Sequence, residues 1–386
     1  MMAVISNQNG SSDHGSERQM KSHNGPKISI LMPVYNGSYY LRKTLNKILE
    51  QTFSEYEVIC INDCSTDDSL TILEEYNARD RRFRVFSTDA NKGIVPKVMN
   101  YAIPYVRGDY FVYTSQDDLF SKDWLQSMYD KAVSTGADAV IPDVVLYHEN
   151  EPQKSSMLSA LCRDKNRVLT NREAVALSLD WSIPGNALWA VRLLKDIGYY
   201  DFSMNADEYT SRVYFFNCNK IVFSDGTFYY RQDNSSAITK KLSENTFDYL
   251  YTDFRLFEFL RENEFPIEIQ EAIVLRSIYG LAGLKMVLCK YKVKRLIPML
   301  SSSSLFSSDG AERRVRECFD ALQSIGVLRC VSSMTGWKTR LAKLMLTDYT
   351  LFTAISLLVF IAKRANGRWK KLVSFLASRV LQGTGF

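Results

Sequence analysis

The sequence predicts an α/β protein with a doubly wound, mostly parallel sheet that carries helices on both faces, followed by a helical C-terminal region. Between residues 27 and 238, short apolar runs alternate with amphipathic segments about every 25 residues, the spacing of parallel strands joined by right-handed crossovers. Several of these runs stop abruptly on Asp or Asn. From residue 239 onward the apolar residues recur at helical spacing without strand-like runs, so we expect a boundary near residue 238.

The first two strands are marked by apolar runs that end in polar loops. Residues 28–34 form the first run, and the turn-forming residues 35–37 follow it before a helical repeat begins. Residues 56–61 give the second strand, which ends directly before Asn62 and Asp63. Residues 65–68 (Ser-Thr-Asp-Asp) then predict the N-terminal cap of the next helix, with acids near the positive end of its dipole.

The fourth predicted strand delivers two acids to the edge of the sheet. Residues 83–86 predict a third strand and residues 95–105 a helix, after which residues 110–113 are a β-branched and aromatic run typical of a buried strand. That run leads to the adjacent carboxylates of Asp117 and Asp118. In open α/β sheets ligands bind beyond the carboxyl ends of the strands, so these acids are candidate functional residues.

Two adjacent carboxylates repel each other unless a cation lies nearby. Oxygen ligands of this kind beside a phosphate site suit Mg²⁺ or Mn²⁺. The alternative is a turn in which an Asp caps the following helix.

The remaining elements follow from the same patterns. A capping box at residues 170–173 (Thr-Asn-Arg-Glu) opens a short helix. The other predicted elements are helices at 124–133, 247–261 and 268–290 and strands at 137–146, 221–223 and 227–230.

Composition indicates a globular protein of about two domains. Hydrophobic residues make up 46% of the chain and charged residues 24%, with a net charge of +5 that is too small to indicate a nucleic-acid partner. Residues 1–26 predict a disordered tail without the apolar core of a signal peptide. The seven cysteines are scattered without a Cys-x-x-Cys pair, which favours a reducing, cytoplasmic compartment over a zinc site or a disulfide framework.

Five motifs, taken in order, resemble those of the family 2 glycosyltransferases of the GT-A fold. They are residues 30–37 (Ile-Leu-Met-Pro-Val-Tyr-Asn-Gly), 61–67 (Ile-Asn-Asp-Cys-Ser-Thr-Asp), 91–93 (Asn-Lys-Gly), 116–118 (Gln-Asp-Asp) and 205–207 (Asn-Ala-Asp). The resemblance implies a nucleotide-sugar donor, with a UDP-sugar expected, a divalent Mn²⁺ or Mg²⁺ ion, and inversion at the anomeric carbon. It also implies transfer to a hydroxyl of a glycan or lipid-linked acceptor in cell-surface polysaccharide biosynthesis.

The resemblance assigns roles to individual residues. It implies that Asp118 binds the metal and that Asp207 is the general base, although Glu208 is a rival because a one-residue slip is compatible with the spacing. An ionised Asp63 offers only acceptors, which suits the N3–H of uracil. The remaining residues are implied to contact the donor nucleotide, the diphosphate or the acceptor: Pro33, Tyr35, Asp63 and Asp117 for the nucleotide, and Gly185, Asn186 and Arg231 for the diphosphate or acceptor.

Two residues depart from the family pattern. Gln116 stands where many relatives carry the first acid of the Asp-x-Asp element, and Asp233 stands where relatives often carry a His. These departures motivate the alternative of a catalytically inactive relative that only binds a nucleotide sugar. A sugar-phosphate nucleotidyltransferase is disfavoured because residues 33–37 form no Gly-rich phosphate loop. The Gln-x-x-Arg-Trp element of chain-extending synthases is missing, which favours transfer of a single sugar.

The C-terminal segment 351–382 combines apolar and basic residues. Residues 351–362 are an uncharged apolar block of 12, too short to cross a bilayer. The following stretch surrounds Trp369 with Lys and Arg, a pattern typical of a helix lying in an anionic membrane interface. A helix packed on the catalytic domain or on another subunit has the same pattern, so both interpretations stay open, as does the oligomeric state.

Overall fold

The computed structural model describes residues 25–158, 164–237, 248–295 and 308–324, together with 345, 347–350, 352–353 and 355–356. Within these ranges the chain has an α/β fold. A mixed β-sheet carries helices on both faces, and further helices follow toward the C-terminus. The predicted fold class is confirmed. The boundary expected near residue 238 falls at an undescribed segment, and the division into two domains stays a prediction.

The strands and helices begin and end close to the predicted limits. The strands are β1 (Ile28–Val34), β2 (Tyr56–Asn62), β3 (Phe83–Ser87), β4 (Tyr110–Tyr113), β5 (Leu119–Phe120), β6 (Ala139–Tyr147), β7 (Ser156–Met157), β8 (Leu188–Ala190) and β9 (Ile221–Arg231). The helices are α1 (Ser38–Leu49), α2 (Ser69–Arg79), α3 (Val95–Ala102), α4 (Trp124–Thr135), α5 (Asn171–Ser178), α6 (Val191–Ile197), α7 (Ala206–Phe216), α8 (Asp248–Glu262), α9 (Ile267–Arg295) and α10 (Ser308–Ser324).

The sheet is parallel in its first half and mixed in its second. Its strand order is β3-β2-β1-β4-β8-β6-β9-β5, with β7 paired to β6. The pairs β1 with β2, β1 with β4, and β2 with β3 are parallel, whereas β8 is antiparallel to both of its neighbours. The predicted parallel rhythm therefore holds for β1 to β4, whereas the later pairings are mixed: β6 is parallel to β9, and β5 is antiparallel to β9.

Hydrophobic residues fill the space on both faces of the sheet. Successive residues of β1 point to opposite faces, so Ile30 and Met32 pack with α1, α2 and α4, while Leu31 packs with α3 and α5 to α7. Helices α8 to α10 extend this second face, since Phe257, Ile278 and other buried residues of these helices belong to the same cluster as Leu31. The sheet and helices α8 to α10 thus share one continuous core.

Two local predictions were wrong in detail. Residues 221–223 and 227–230 belong to one strand, β9, because its pairing with β6 continues past a register shift between Ile141 and Asp143. Helix α2 starts later than the 65–68 motif predicts. Asp67 precedes the helix and accepts hydrogen bonds from the backbone N–H groups of Ser69 and Ser38, which joins α2 to the start of α1.

The capping box is confirmed, because Thr170 and Glu173 each accept a hydrogen bond from the other's backbone N–H. Of the C-terminal segment 351–382, only four residues are described, and Phe352 and Ile355 among them are buried in the helical core. The basic stretch around Trp369 lies outside the described residues. Among the helices that the structure describes, none is both long and apolar enough to span a membrane.

Gly226 tests how tightly β9 packs on α4. A Cβ at this position would lie 2.8 Å from Cα of Trp124, a backbone atom that cannot move aside. Gly226→Ala should therefore lower the free energy of unfolding by about 1–3 kcal/mol in urea denaturation. Gly283, inside α9, has open space at its Cβ, so Gly283→Ala should raise stability by about 0.5–1 kcal/mol. Equal stability of the two variants would contradict this description of the α4–β9 contact.

Candidate active site

The nine residues singled out from the sequence line one cleft at the carboxyl ends of β1, β2 and β4. The cleft encloses about 1390 Å³. The parallel register of β1 with β2 and β4 brings the residues that follow these strands to the same edge of the sheet. The nine are Pro33, Tyr35, Asp63, Asp117, Asp118, Gly185, Asn186, Asp207 and Arg231.

Asp63 is buried at the end of β2 and connects two loops. Its Oδ1 accepts hydrogen bonds from Oγ1 of Thr88 at 2.8 Å and from the backbone N–H of Lys92 at 2.9 Å. The side-chain amide of Asn91 donates to the Asp63 carbonyl at 3.0 Å. The Asn-Lys-Gly motif thus packs against the Asp63 loop, a contact that sequence spacing alone did not predict.

Gln116 holds the loop that follows β1. Its side-chain amide accepts a hydrogen bond from the backbone N–H of Tyr35 at 2.9 Å and donates one to the Tyr35 carbonyl at 3.1 Å. Gly37 gives this amide room, because a Cβ there would overlap the Gln116 side chain. An Asp or Glu could not both donate and accept in this way, so the departure from the family pattern has a structural role.

Asp118 is buried, and both of its carboxylate oxygens accept backbone hydrogen bonds. The donors are the N–H of Ser115 and the N–H of Arg231, each at 3.2 Å. Burial, followed by the negative charge of Asp117, raises the pKa of Asp118 to about 7. Asp117 is less buried and accepts a hydrogen bond from the Asn234 side chain at 2.6 Å.

Arg231 contacts the loop that carries this acid pair, and its guanidinium is paired with other carboxylates. Its Nη1 forms ion pairs with Glu149 at 2.8 Å and Asp233 at 3.1 Å, and its Nε donates to the Asp117 carbonyl at 2.8 Å. Asp233 also accepts hydrogen bonds from the backbone N–H groups of Glu149 and Asn150. Asp233 therefore fixes the loop that follows β6.

Asp207 and Glu208 lie in the first turn of α7, but their surroundings differ. The Glu208 carboxylate forms an ion pair with the buried guanidinium of Arg212, one turn along the helix. Asp207 has no such partner among the described residues. Loss of solvation, followed by the negative charge of Glu208, raises the pKa of Asp207 to about 7, against a smaller opposing effect of Arg212. Asp207 is thus poised to exchange a proton near neutral pH.

The far wall of the cleft comes from the C-terminal helices. Tyr249, Thr252 and Asp253 of α8 and Arg276 of α9 line it together with Asn205, which precedes α7. The side chain of Asn205 accepts a hydrogen bond from the Thr252 hydroxyl at 3.0 Å. Asn205 belongs to the Asn-Ala-Asp motif, but the four residues of α8 and α9 were missed because no motif marks them. Only the packing of α8 against α7 brings them to the site.

The oxygen chemistry of Asp117 and Asp118 fits a hard divalent cation. A cation beside them would favour the ionised form of Asp118 against the effects that raise its pKa. Among the described residues, no cluster of three or more His, Cys, Asp or Glu side chains has metal-binding geometry. Divalent ions at phosphate sites commonly take one or two carboxylates plus substrate phosphates. The acid pair therefore fits a cation shared with a donor diphosphate.

Comparison with known proteins identifies the family to which the first half of the chain belongs. Residues 29–193 match the family model described as glycosyl transferase family 2. The chain carries a family 2 glycosyltransferase domain. It is 27% identical over 223 residues to glycosyltransferase GlyG of Streptococcus pneumoniae serotype 4, a match that covers 55% of this chain and 72% of GlyG.

A second relative supports the same family and the fold. The chain is 26% identical over 212 residues to poly(ribitol-phosphate) beta-N-acetylglucosaminyltransferase TarS of Staphylococcus aureus, covering 53% of this chain and 35% of TarS. It therefore spans about a third of that relative's length. The crystal structure of TarS 1–349 in complex with UDP-GlcNAc is similar with a TM-score of 0.60, covering 88% of this chain and 91% of that one. At 17% identity this likeness shows the fold alone.

Proposed function

We propose that this family 2 glycosyltransferase moves a single sugar from a UDP-sugar to a hydroxyl of a cell-surface glycan, with inversion and with a divalent cation. The observation that carries the proposal is the shared cleft of Asp207, with its pKa raised to about 7, and the acid pair Asp117 and Asp118. A proton acceptor and a cation site facing one cleft are what an inverting transfer needs.

The reaction would proceed in one displacement. The acceptor hydroxyl attacks the anomeric carbon while its proton passes to the Asp207 carboxylate, and the bond from that carbon to the diphosphate oxygen breaks. A divalent cation held by Asp118, with Asp117 beside it, would offset the charge on the departing diphosphate. Attack from the face opposite the leaving group inverts the configuration.

The donor would lie along the ends of β1 and β2. We assign uracil recognition to Asp63, whose position is supported by Thr88 and Lys92, and ribose contact to Asp117. The half-exposed Tyr35 and neighbouring Pro33 form the cleft wall on this side. The crystal structure of TarS with UDP-GlcNAc supports the choice of a UDP-sugar at the level of the fold.

The Arg212 pair favours Asp207 over Glu208 as the base. A carboxylate neutralised by a buried guanidinium is a weak proton acceptor, because protonation would leave the guanidinium without its counter-charge. We assign Arg231 to support of the acid pair rather than to the diphosphate contact expected from the sequence, because its guanidinium is buried and paired with Glu149 and Asp233. We assign Gly185 and Asn186 to the acceptor side.

The two departures from the family pattern do not favour an inactive protein. Gln116 pairs with the Tyr35 backbone and Asp233 pairs with Arg231, so each substitution has a structural partner. Asp63, Asp118 and Asp207 are all present in the cleft. The enzyme is therefore preferred to a binding-only relative.

Replacement of each acid in turn tests whether Asp207 or Glu208 is the base. Asp207→Asn keeps the side-chain shape but removes its basicity, so transfer should fall by about 10² or more while donor affinity persists. Glu208→Gln is the matched variant and should retain more activity. Turnover is measured with a panel of UDP-sugars, first as slow donor hydrolysis. Near-normal turnover in Asp207→Asn with an inactive Glu208→Gln variant would move the role to Glu208.

The raised pKa of Asp207 also predicts how activity and stability depend on pH. Activity should rise through about pH 7 as the carboxyl loses its proton. The folded-state pKa lies above the ordinary value of 3.8 for an Asp, so the folded state binds more protons than the unfolded state between these two pH values. Stability should therefore fall as pH rises between them. Asp207→Asn should therefore melt at a higher temperature than the wild type at pH 8, with a smaller difference at pH 5. If wild type and Asp207→Asn melted at the same temperature at both pH 5 and pH 8, the charged form of Asp207 would not destabilise the folded state.

Removal of the metal tests the role of Asp118. Calorimetry should show that UDP binds more tightly in the presence of Mn²⁺ than in the presence of chelator. Asp118→Asn should reduce this metal-dependent increase in UDP affinity by at least about tenfold. Asp123→Asn, an exposed acid a few residues further along the chain, is the control and should leave the gain unchanged. If UDP bound equally well with chelator and with Mn²⁺, the metal role would be wrong.

We also propose that the basic stretch around Trp369 binds an anionic membrane surface on the cytoplasmic side, which would bring the cleft to a membrane-bound acceptor. The sequence pattern supports this proposal. The structure limits the experiment, because Met345, Phe352 and Ile355 are buried in the helical core and a truncation before them would remove core contacts. Charge replacement is therefore the better test.

Five basic residues are changed to Gln together: Lys363, Arg364, Arg368, Lys370 and Lys371. Since each contributes about 1 kcal/mol near an anionic surface at low salt, binding to phosphatidylserine vesicles should be lost while UDP-sugar hydrolysis persists. The control replaces exposed basic residues of the catalytic half: Arg81, Lys97, Lys122 and Lys195. Equal vesicle binding by wild type and the five-residue variant would assign the stretch to protein contact.

A further inference from the structure

Trp181 adopts a backbone conformation that bulky residues avoid. Its φ angle is 63°, in the left-handed region, directly after α5 ends. Glycine is the usual residue at such a position, because it has no Cβ to meet the following carbonyl oxygen. A Trp in this region is an outlier, and outliers of this kind cluster at binding sites and active sites.

Two arginines hold the turn that contains Trp181. Arg212 of α7 donates to the carbonyl of Ser178, and Arg276 of α9 donates to the carbonyl of Leu179. Arg212 is buried, and Arg276 is anchored by its ion pair with Asp253. The turn is thus fixed both to the helix that carries Asp207 and to the C-terminal helices.

Trp181 is one of the residues that line the cleft. It is partly exposed and shares this cleft with Asp207 and Asn186. Among the described residues it stacks on no other aromatic ring, in contrast to Trp124 and Trp189, which pack in the core. Aromatic stacking within the described part of the protein therefore does not account for a large ring at this position.

The strand order places Trp181 on the acceptor side of the site. Asp63 follows β2, and Asp117 and Asp118 follow β4, while the turn with Trp181 leads into β8 on the other side of β4. The acid pair therefore separates Trp181 from the residues assigned to the nucleotide. A ligand group over Trp181 would approach Asp207 from the side away from the nucleotide.

We propose that Trp181 is the platform for the acceptor's sugar ring and thereby a specificity-determining residue. This inference rests on the proposed function of the cleft. One face of a pyranose carries several C–H bonds and can lie flat on an indole, while the indole N–H can donate to a hydroxyl at the ring edge. An acceptor presented as a pyranose is favoured over an open-chain polyol, which has no flat apolar face.

The test uses binding of free sugars, observed by saturation-transfer NMR. The probes are methyl glycosides of glucose, galactose and N-acetylglucosamine, with ribitol as the open-chain comparison and UDP with Mn²⁺ present. At least one pyranoside should bind the wild type more tightly than ribitol, with saturation concentrated on one face of its ring. Trp181→Gly should weaken that binding by at least about tenfold, and Trp181→Phe should recover part of it.

Glu264→Gly is the matched control. Glu264 also has a positive φ, 53°, and is exposed in the turn between α8 and α9, outside the residues that line the cleft. Replacement by Gly relieves backbone strain at both positions, so both variants should melt at a higher temperature than the wild type, but only Trp181→Gly should lose pyranoside binding.

Two results would overturn the assignment. One is pyranoside binding that is absent from the wild type or unchanged in Trp181→Gly, and the other is preferential binding of ribitol. Failure of the proposed function is separate, because it would appear as a wild-type protein that hydrolyses no UDP-sugar. Donor hydrolysis without acceptor should be the same in wild type and in the control variant Glu264→Gly.

Discussion

The parallel pairing of β1 with β2 and with β4 is the constraint on which the site depends. This register aligns Val34 with Asn62 and Leu31 with Tyr113, so the loops that follow the three strands begin at one edge of the sheet. Asp63 and the acid pair Asp117 and Asp118 stand in two of these loops. The strand pairing brings these three carboxylates to the same edge although carboxylates repel each other. The buried strands on either side supply the stability that holds these charges together.

The carboxylates of the site differ in how their negative charge is compensated. Glu208 is neutralised by Arg212, and Arg231 is enclosed by Glu149 and Asp233 below the acid pair. Asp118 accepts two backbone hydrogen bonds, yet its pKa remains raised, which is the condition that a bound cation relieves. Asp207 is left with a raised pKa and no compensating ion pair among the described residues. The same burial that weakens the fold at this point makes the carboxylate a better proton acceptor.

The C-terminal helices belong to the site as well as to the core. Helices α8 to α10 share a hydrophobic cluster with the sheet, and α8 and α9 contribute Thr252, Asp253 and Arg276 to the cleft. Arg276 joins this wall to the turn of Trp181. A change in the packing of α9 would therefore be transmitted to the turn of Trp181, on the proposed acceptor side. The proposed nucleotide side, at the ends of β1 and β2, would be less affected.

The sequence alone determined the elements whose signals are local. Apolar runs that stop on Asp63 and Asp118 marked the strand ends, and the Thr170 capping box marked the start of α5, because strand burial and helix capping depend on residues close in sequence. The tertiary structure decided what depends on distant contacts. The mixed strand directions and the continuity of β9 follow from pairing with β6, which no local pattern encodes. The ion pair that distinguishes Glu208 from Asp207 is a local contact between residues four apart in α7, whereas only the fold shows that Gln116 pairs with Tyr35. The turn that contains Trp181, with its left-handed φ, is held by arginines from two other helices, and these contacts between residues far apart in the chain are not encoded in any local pattern.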